Sequence, residues 1–184
     1  PMRPSFYSPK PTFAAKPPQW HSRACAELIA HPPTVEFLRA LLGDDLVFTH
    51  GHYIVSHPGQ PSLELHSDYA PYGSVYSKWE ESCPVRVRCL YYLDDTRTDR
   101  AALRILPRSH ICVHADAHPY RRYKSHPEEV MLPMRAGDVF IFNVRLFHGT
   151  GPNTTEETRG MIEIDYRPVW AHPMMPVAEW DPAD

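Results

Sequence analysis

Proline sets the first limit on this fold: 21 of the 184 residues are proline, and they recur along the whole chain. Each one fixes φ and removes a backbone donor, so long helices and uninterrupted central strands are disfavoured, and short strands joined by shaped loops tolerate the density best. The apolar pattern agrees. Beyond Asp45, strand-like runs are expected at 46–55, 62–66, 85–93, 103–106, 130–134, 138–143, 146–148 and 160–166, separated by Pro, Gly, Asp and Asn clusters. Short strands in this number form an antiparallel sandwich or barrel, and the expected class is mainly β.

A small helical layer should precede the strands. Apolar residues return at helical spacing over 20–30 and 33–42, with Pro33 in a first turn and Gly43 as a C-cap. Residues 1–19 are proline-dense without apolar period and read as an extended arm. One domain is therefore expected over 20–184, with helices in 20–43 and the β core in 46–168. Within it, Arg86 and Arg88 alternate with Val85, Val87 and Cys89, as on a half-exposed strand. Residues 111–129 lack strand character and read as an excursion from the sheet, with Arg121, Arg122 and Lys124 as a solvated charge run.

Composition narrows the partners. The formal net charge is −3 with both signs interspersed, which offers no basic field for nucleic acid or an anionic membrane. Apolar runs such as Val139 to Phe142 fall far short of the ~20 residues of a membrane span. The chain's start carries no charged segment followed by an apolar one. Cys25, Cys83, Cys89 and Cys112 form no C-x-x-C pair, which favours reduced thiols and a cytoplasmic location. A small-molecule substrate is the expected partner; no signal specifies an oligomeric state.

The chemistry lies in the histidines. Two histidines and one carboxylate on one face of an ion suit Fe(II) and leave coordination positions open. His-x-Asp occurs at His66-Ser67-Asp68 and at His114-Ala115-Asp116. Only the first follows a strand, Leu63-Glu64-Leu65, and leads into an aromatic loop, whereas the second sits in the excursion. His148 follows the apolar run 139–147 and precedes Gly149, where close backbone approach is possible. Arg159 opens the last apolar strand, an odd place for a guanidinium unless an anion meets it there.

The segments His66-Ser67-Asp68, Leu103-Arg104-Ile105-Leu106-Pro107-Arg108-Ser109-His110, and Gly137-Asp138 through Arg159-Gly160-Met161-Ile162 together resemble the phytanoyl-CoA dioxygenase family. The resemblance implies a double-stranded β-helix (jelly-roll, cupin-like) that uses Fe(II), 2-oxoglutarate and O₂. It implies iron on His66, Asp68 and His148, and the distal carboxylate of 2-oxoglutarate on Arg159 with help from Thr150. It further implies hydroxylation of an unactivated carbon with release of succinate and CO₂, since halogenating relatives carry a small residue where this chain has Asp68. The loop 69–79 supplies candidate substrate contacts in Tyr69, Tyr72 and Trp79. Ser67 and Arg108 stand where the family commonly has Gln and Gly, and the 65 residues before His66 are fewer than usual, which suggests a reduced helical layer and pocket wall. Two other classes stay open: a cupin-like metal enzyme that does not use 2-oxoglutarate, and a non-catalytic β-helix binding module. The first has no use for Arg159, and the second needs neither Asp68 nor Arg159.

Overall fold

Pro32 and Pro33 open the longer of the two helices in the computed structural model, which describes residues 22–68, 86–111 and 123–171. The arm over 1–19, the loop with Tyr69, Tyr72 and Trp79, and the His114/Asp116 pair lie outside the described residues. The first helix, α1 (Arg23–Ile29), is capped by Ser22, whose hydroxyl accepts from the Cys25 amide at 3.4 Å. The second, α2 (Pro32–Leu42), starts on proline and ends at Gly43, whose φ of 94° turns the chain out of the helix. Thr34, Leu38 and Leu42 recur four residues apart and form the buried stripe of α2.

Eight strands follow among the described residues: β1 (Leu46–Ser56), β2 (Leu63–His66), β3 (Val87–Tyr92), β4 (Leu103–Ile105), β5 (Val130–Leu132), β6 (Val139–Asn143), β7 (His148–Thr150) and β8 (Arg159–Pro168). They pair as two antiparallel four-stranded sheets, β1-β8-β3-β6 and β2-β7-β4-β5. This is the double-stranded β-helix: early strands pair with late ones, so residues far apart in the chain become neighbours.

One face of the first sheet packs on the helices. Leu38 and Leu42 meet Val87, Cys89, Tyr91, Ile162, Ile164 and Tyr166 there. Two phenols fix the layer: Tyr91 donates to Thr34 Oγ1 at 2.9 Å, and Tyr166 donates to the Ile29 carbonyl at 2.6 Å. The other face looks between the sheets, where Leu90, Tyr92 and Met161 pack with Leu103, Phe142 and Leu146. No described helix is long and apolar enough to cross a membrane.

Two expectations need correction. Strand β3 is buried on both faces, so Arg88 is not a solvent-facing residue of a half-exposed strand. It is a central strand with helices behind it, and its arginine points inward to carboxylates. The strand expected at 146–148 begins at His148 and runs on to Thr150. Asn143 Oδ1 accepts from the Arg145 amide at 3.0 Å and Asn143 O from the Leu146 amide at 2.8 Å, which closes a turn where apolar character alone suggested strand.

Candidate metal centre

Strands β2 and β7 carry the centre. His66 ends the first and His148 begins the second, and the two are direct cross-strand partners with ring centroids 4.6 Å apart. The register slips between Leu63 and His66, so β2 crowds its neighbour. Gly149 makes this possible: a Cβ there would lie 2.5 Å from the Leu63 carbonyl oxygen and 3.1 Å from that of Glu64.

Each imidazole is oriented by a backbone carbonyl. His66 Nδ1 lies 2.8 Å from Glu64 O, and His148 Nδ1 lies 2.9 Å from Leu146 O. A carbonyl can only accept, so Nδ1 holds the proton and Nε2 presents its lone pair, the arrangement that metal-binding histidines use. Asp68 follows the end of β2, where its amide donates to Val144 O at 3.2 Å. His66 Nε2 is 3.5 Å from Asp68 Oδ1, and His148 Nε2 is 3.4 Å from Asp68 Oδ2. Those separations exceed ordinary hydrogen bonds and suit donors arranged about an ion. The three ligand atoms all lie within 4.8 Å of one another.

Protonation favours ligation. Burial pushes the His148 imidazole down to about 4, against the pull of Asp68, so the ring is neutral at physiological pH. Burial works against ionising Asp68, but the Arg88 guanidinium and both imidazoles outweigh it and hold the carboxyl well below the usual carboxylate range. Arg88 donates through Nη1 to Asp68 Oδ2, and Asp165 clamps the same guanidinium at 2.8 and 3.1 Å. Glu163 Oε1 adds a contact at 3.0 Å.

Arg159, at the start of β8, is 2 % exposed. Its Nε and Nη1 are buried with no hydrogen-bond partner, and so is the hydroxyl of Ser56, its cross-strand neighbour. Burial pushes the guanidinium below its ordinary value, opposed by Tyr92 and Asp94. Buried donors left this way are costly unless something accepts from them, and a carboxylate in the intersheet space fits that need. Thr150 is half-buried on β7, two residues past His148 and so on the same side of the strand.

The model of the phytanoyl-CoA dioxygenase (PhyH) family matches residues 5–161. The chain belongs to that family. Dioxygenase ALT11 of Alternaria alternata is 28 % identical over 121 residues, covering 63 % of this chain and 38 % of its own length. Dioxygenase trt7 of Aspergillus terreus is 28 % identical over 124 residues, covering 65 % and 42 %. The chain thus spans about two fifths of these curated relatives. Among solved structures, HygX of Streptomyces hygroscopicus with nickel, 2-oxoglutarate and hygromycin B bound superposes with a TM-score of 0.65 at 21 % identity, over 81 % of this chain and 66 % of that one. At that identity the likeness speaks for the fold.

Sequence reasoning missed Arg88, Ser56 and a second polar group made by His50, His52 and Glu163. The alternation His50-Gly51-His52 on a strand was the available signal for the last. Arg88 and Ser56 gave none, because their importance depends on which strands become neighbours.

Proposed function

We propose that this chain is the oxygenase part of an Fe(II)- and 2-oxoglutarate-dependent dioxygenase that hydroxylates an unactivated carbon of a small molecule, with residues 20–184 as one domain. The observation that carries the reading is Arg159, whose buried guanidinium lacks a hydrogen-bond partner on Nε and Nη1. A cupin-like enzyme that merely held a metal would have no reason to keep an arginine there, since a buried cation without a counterion is destabilising.

His66, Asp68 and His148 would hold the iron through two imidazole nitrogens and one carboxylate, a donor set that suits Fe(II) and leaves coordination positions free. Arg159 would pair with the distal carboxylate of 2-oxoglutarate, with the Thr150 hydroxyl beside it. When bound, iron and co-substrate together supply O₂-derived oxidising power, with succinate and CO₂ as co-products. The chain's own work is positional. Arg88 steadies Asp68, and the carbonyls of Glu64 and Leu146 keep both imidazole lone pairs pointing inward. Leu90, Phe142 and Met161 form an apolar wall between the sheets that excludes water.

Anaerobic titration of 2-oxoglutarate into the Fe(II)-loaded protein tests the reading. A visible metal-to-ligand charge-transfer band that saturates with one equivalent is expected. Iron binding without any such band would favour a cupin-like metal enzyme, and no iron binding at all would favour a non-catalytic module.

A further inference from the structure

We propose that His50, His52 and Glu163 form a second divalent-cation site of zinc type, distinct from the His66, Asp68 and His148 centre, which pins edge strand β1 to β8. His50 and His52 are two residues apart on β1, on the side that carries Ile54 into the intersheet core. His52 is registered directly opposite Glu163, and His50 opposite Asp165 just after a register shift. The sheet therefore places two imidazoles against two buried carboxylates.

The proton on His50 is fixed by its neighbour. Thr49 Oγ1 commits its hydrogen to the Asp165 carbonyl at 3.1 Å, so at 3.2 Å it can only accept from His50 Nδ1. In the neutral ring Nε2 then presents a lone pair, 3.3 Å from Asp165 Oδ2 and 3.7 Å from Glu163 Oε1. His52 Nδ1 is 3.5 Å from the same Glu163 oxygen. For His50, a lone pair facing carboxylate oxygens calls for a positive species between them, a proton or a metal ion. A shared proton would draw nitrogen and oxygen to about 2.7–3.2 Å. The wider spacing is that of donors around a tetrahedral ion with bonds of about 2.0–2.2 Å. It also repeats the 3.5 and 3.4 Å separations between His66, His148 and Asp68.

Charge assigns the carboxylates. Asp165 meets Arg88 at 2.8 Å and Arg86 at 3.4 Å, so both arginines draw on it. Glu163 meets Arg88 at 3.0 Å through Oε1, the oxygen that also faces both imidazoles, and a carboxylate so engaged keeps further lone pairs for an ion. Two imidazoles and one carboxylate make an open set for Zn(II), which Co(II) can report. The His52 side chain is 40 % exposed, which gives an ion a way in from solvent.

Metal counting decides the matter and is independent of 2-oxoglutarate. The chain is stripped with chelator, dialysed against Zn(II) and assayed for zinc per polypeptide. Wild type is expected to hold two equivalents, and a His50→Ala, His52→Ala variant one. A His66→Ala, His148→Ala variant should also keep one, and Co(II) in it should give the intense visible absorption of a four-coordinate ion. One wild-type equivalent that disappears from the His66→Ala, His148→Ala variant would overturn the second site. So would two equivalents surviving in the His50→Ala, His52→Ala variant. If that variant does not fold, Glu163→Gln replaces it, with loss of the second equivalent expected and its retention overturning the proposal. One equivalent that survives loss of His66 and His148 but not of His50 and His52 would instead keep this site and remove the other.

Discussion

Arg88 and Asp68 are joined by a hydrogen bond across the barrel interior: Arg88 lies on β3 of one sheet, and Asp68 lies just past the end of β2 of the other. The carboxylate is thereby held by a fixed guanidinium on Oδ2, while Asp165 fixes that guanidinium from behind. Replacing Arg88 with Met removes the cation from three carboxylates, Asp68, Glu163 and Asp165, the last at 0 % exposure. Breaking a buried pair from one side costs about 3–5 kcal/mol, and urea unfolding of the metal-free protein should show a loss of that order. Arg88→Lys should fall between the two, because it keeps charge but not the bidentate clamp. Equal midpoints for wild type and Arg88→Met would mean that the clamp contributes nothing.

The three ligands should behave as a unit. His66→Ala, Asp68→Ala and His148→Ala are each expected to abolish tight Fe(II) binding and 2-oxoglutarate turnover, since two donors hold a labile divalent ion poorly. His114→Ala and Asp116→Ala should leave both intact. Iron retained by the 66, 68 and 148 variants and lost from the 114 and 116 variants would relocate the centre.

Arg159→Lys should weaken 2-oxoglutarate binding by about 10- to 150-fold, the equivalent of one charge-assisted hydrogen bond of roughly 1.5–3 kcal/mol. Lysine preserves the charge, but its point-like ammonium cannot reproduce two parallel bonds. Arg159→Ala should be worse and should leave Fe(II) affinity largely unchanged. Anaerobic titrations of the three proteins compare these affinities, and an unaltered value for Arg159→Ala would contradict the proposed co-substrate site.

Gly149→Ala introduces a methyl group 2.5 Å from a backbone oxygen of β2, where no side chain can move aside. Overpacking of this kind costs about 1–3 kcal/mol, and here it pushes apart the two strands that present His66 and His148. Thermal unfolding should register the loss, and Fe(II) affinity should fall with it. A destabilised variant with wild-type iron affinity would show that the centre tolerates strand separation.

Arg104 is 4 % exposed, and Glu129 accepts from it at 3.2 and 2.6 Å, while the carbonyls of Leu63 and Lys124 take two more bonds. Although burial raises it, Glu129 titrates below its ordinary value because the Arg104 bond and charge favour the anion, with a further bond from the His126 amide. A carboxyl depressed on folding contributes stability that is complete above the unfolded-state value of about 4.3 and is lost as pH falls through the lower folded-state value. Wild type should therefore exceed Glu129→Gln in stability at neutral pH and converge on it in acid. A gap between the two that stays constant across the acid range would mean that the ion pair does not contribute.

Most of the strand layout was legible because proline and glycine punctuate the sequence and apolar runs fill the intervals. Leu46–Ser56 and Val139–Asn143 fall almost where periodicity puts them. That His66, Asp68 and His148 come together was legible for a related reason: His66 and Asp68 share a segment, and His148 is flanked by a glycine that a close strand contact explains. Arg88 was misread, since alternation on a strand distinguishes two faces but cannot say that both are buried. Arg108 carries a further lesson. Its φ is 67°, so it occupies the left-handed region where glycine is relaxed, which accounts physically for the glycine expected in that turn.

The two sheets divide the labour: His66 and His148 stand on one, and Arg159 stands on the other. A ternary complex of iron and 2-oxoglutarate would therefore act as a rivet through the sandwich, with one end on β2 and β7 and the other on β8. Thermodynamic reciprocity then makes each component tighten the other by the same factor. Amide hydrogen exchange along β8 should slow most when both are bound, and iron alone should protect mainly the β2–β7 side.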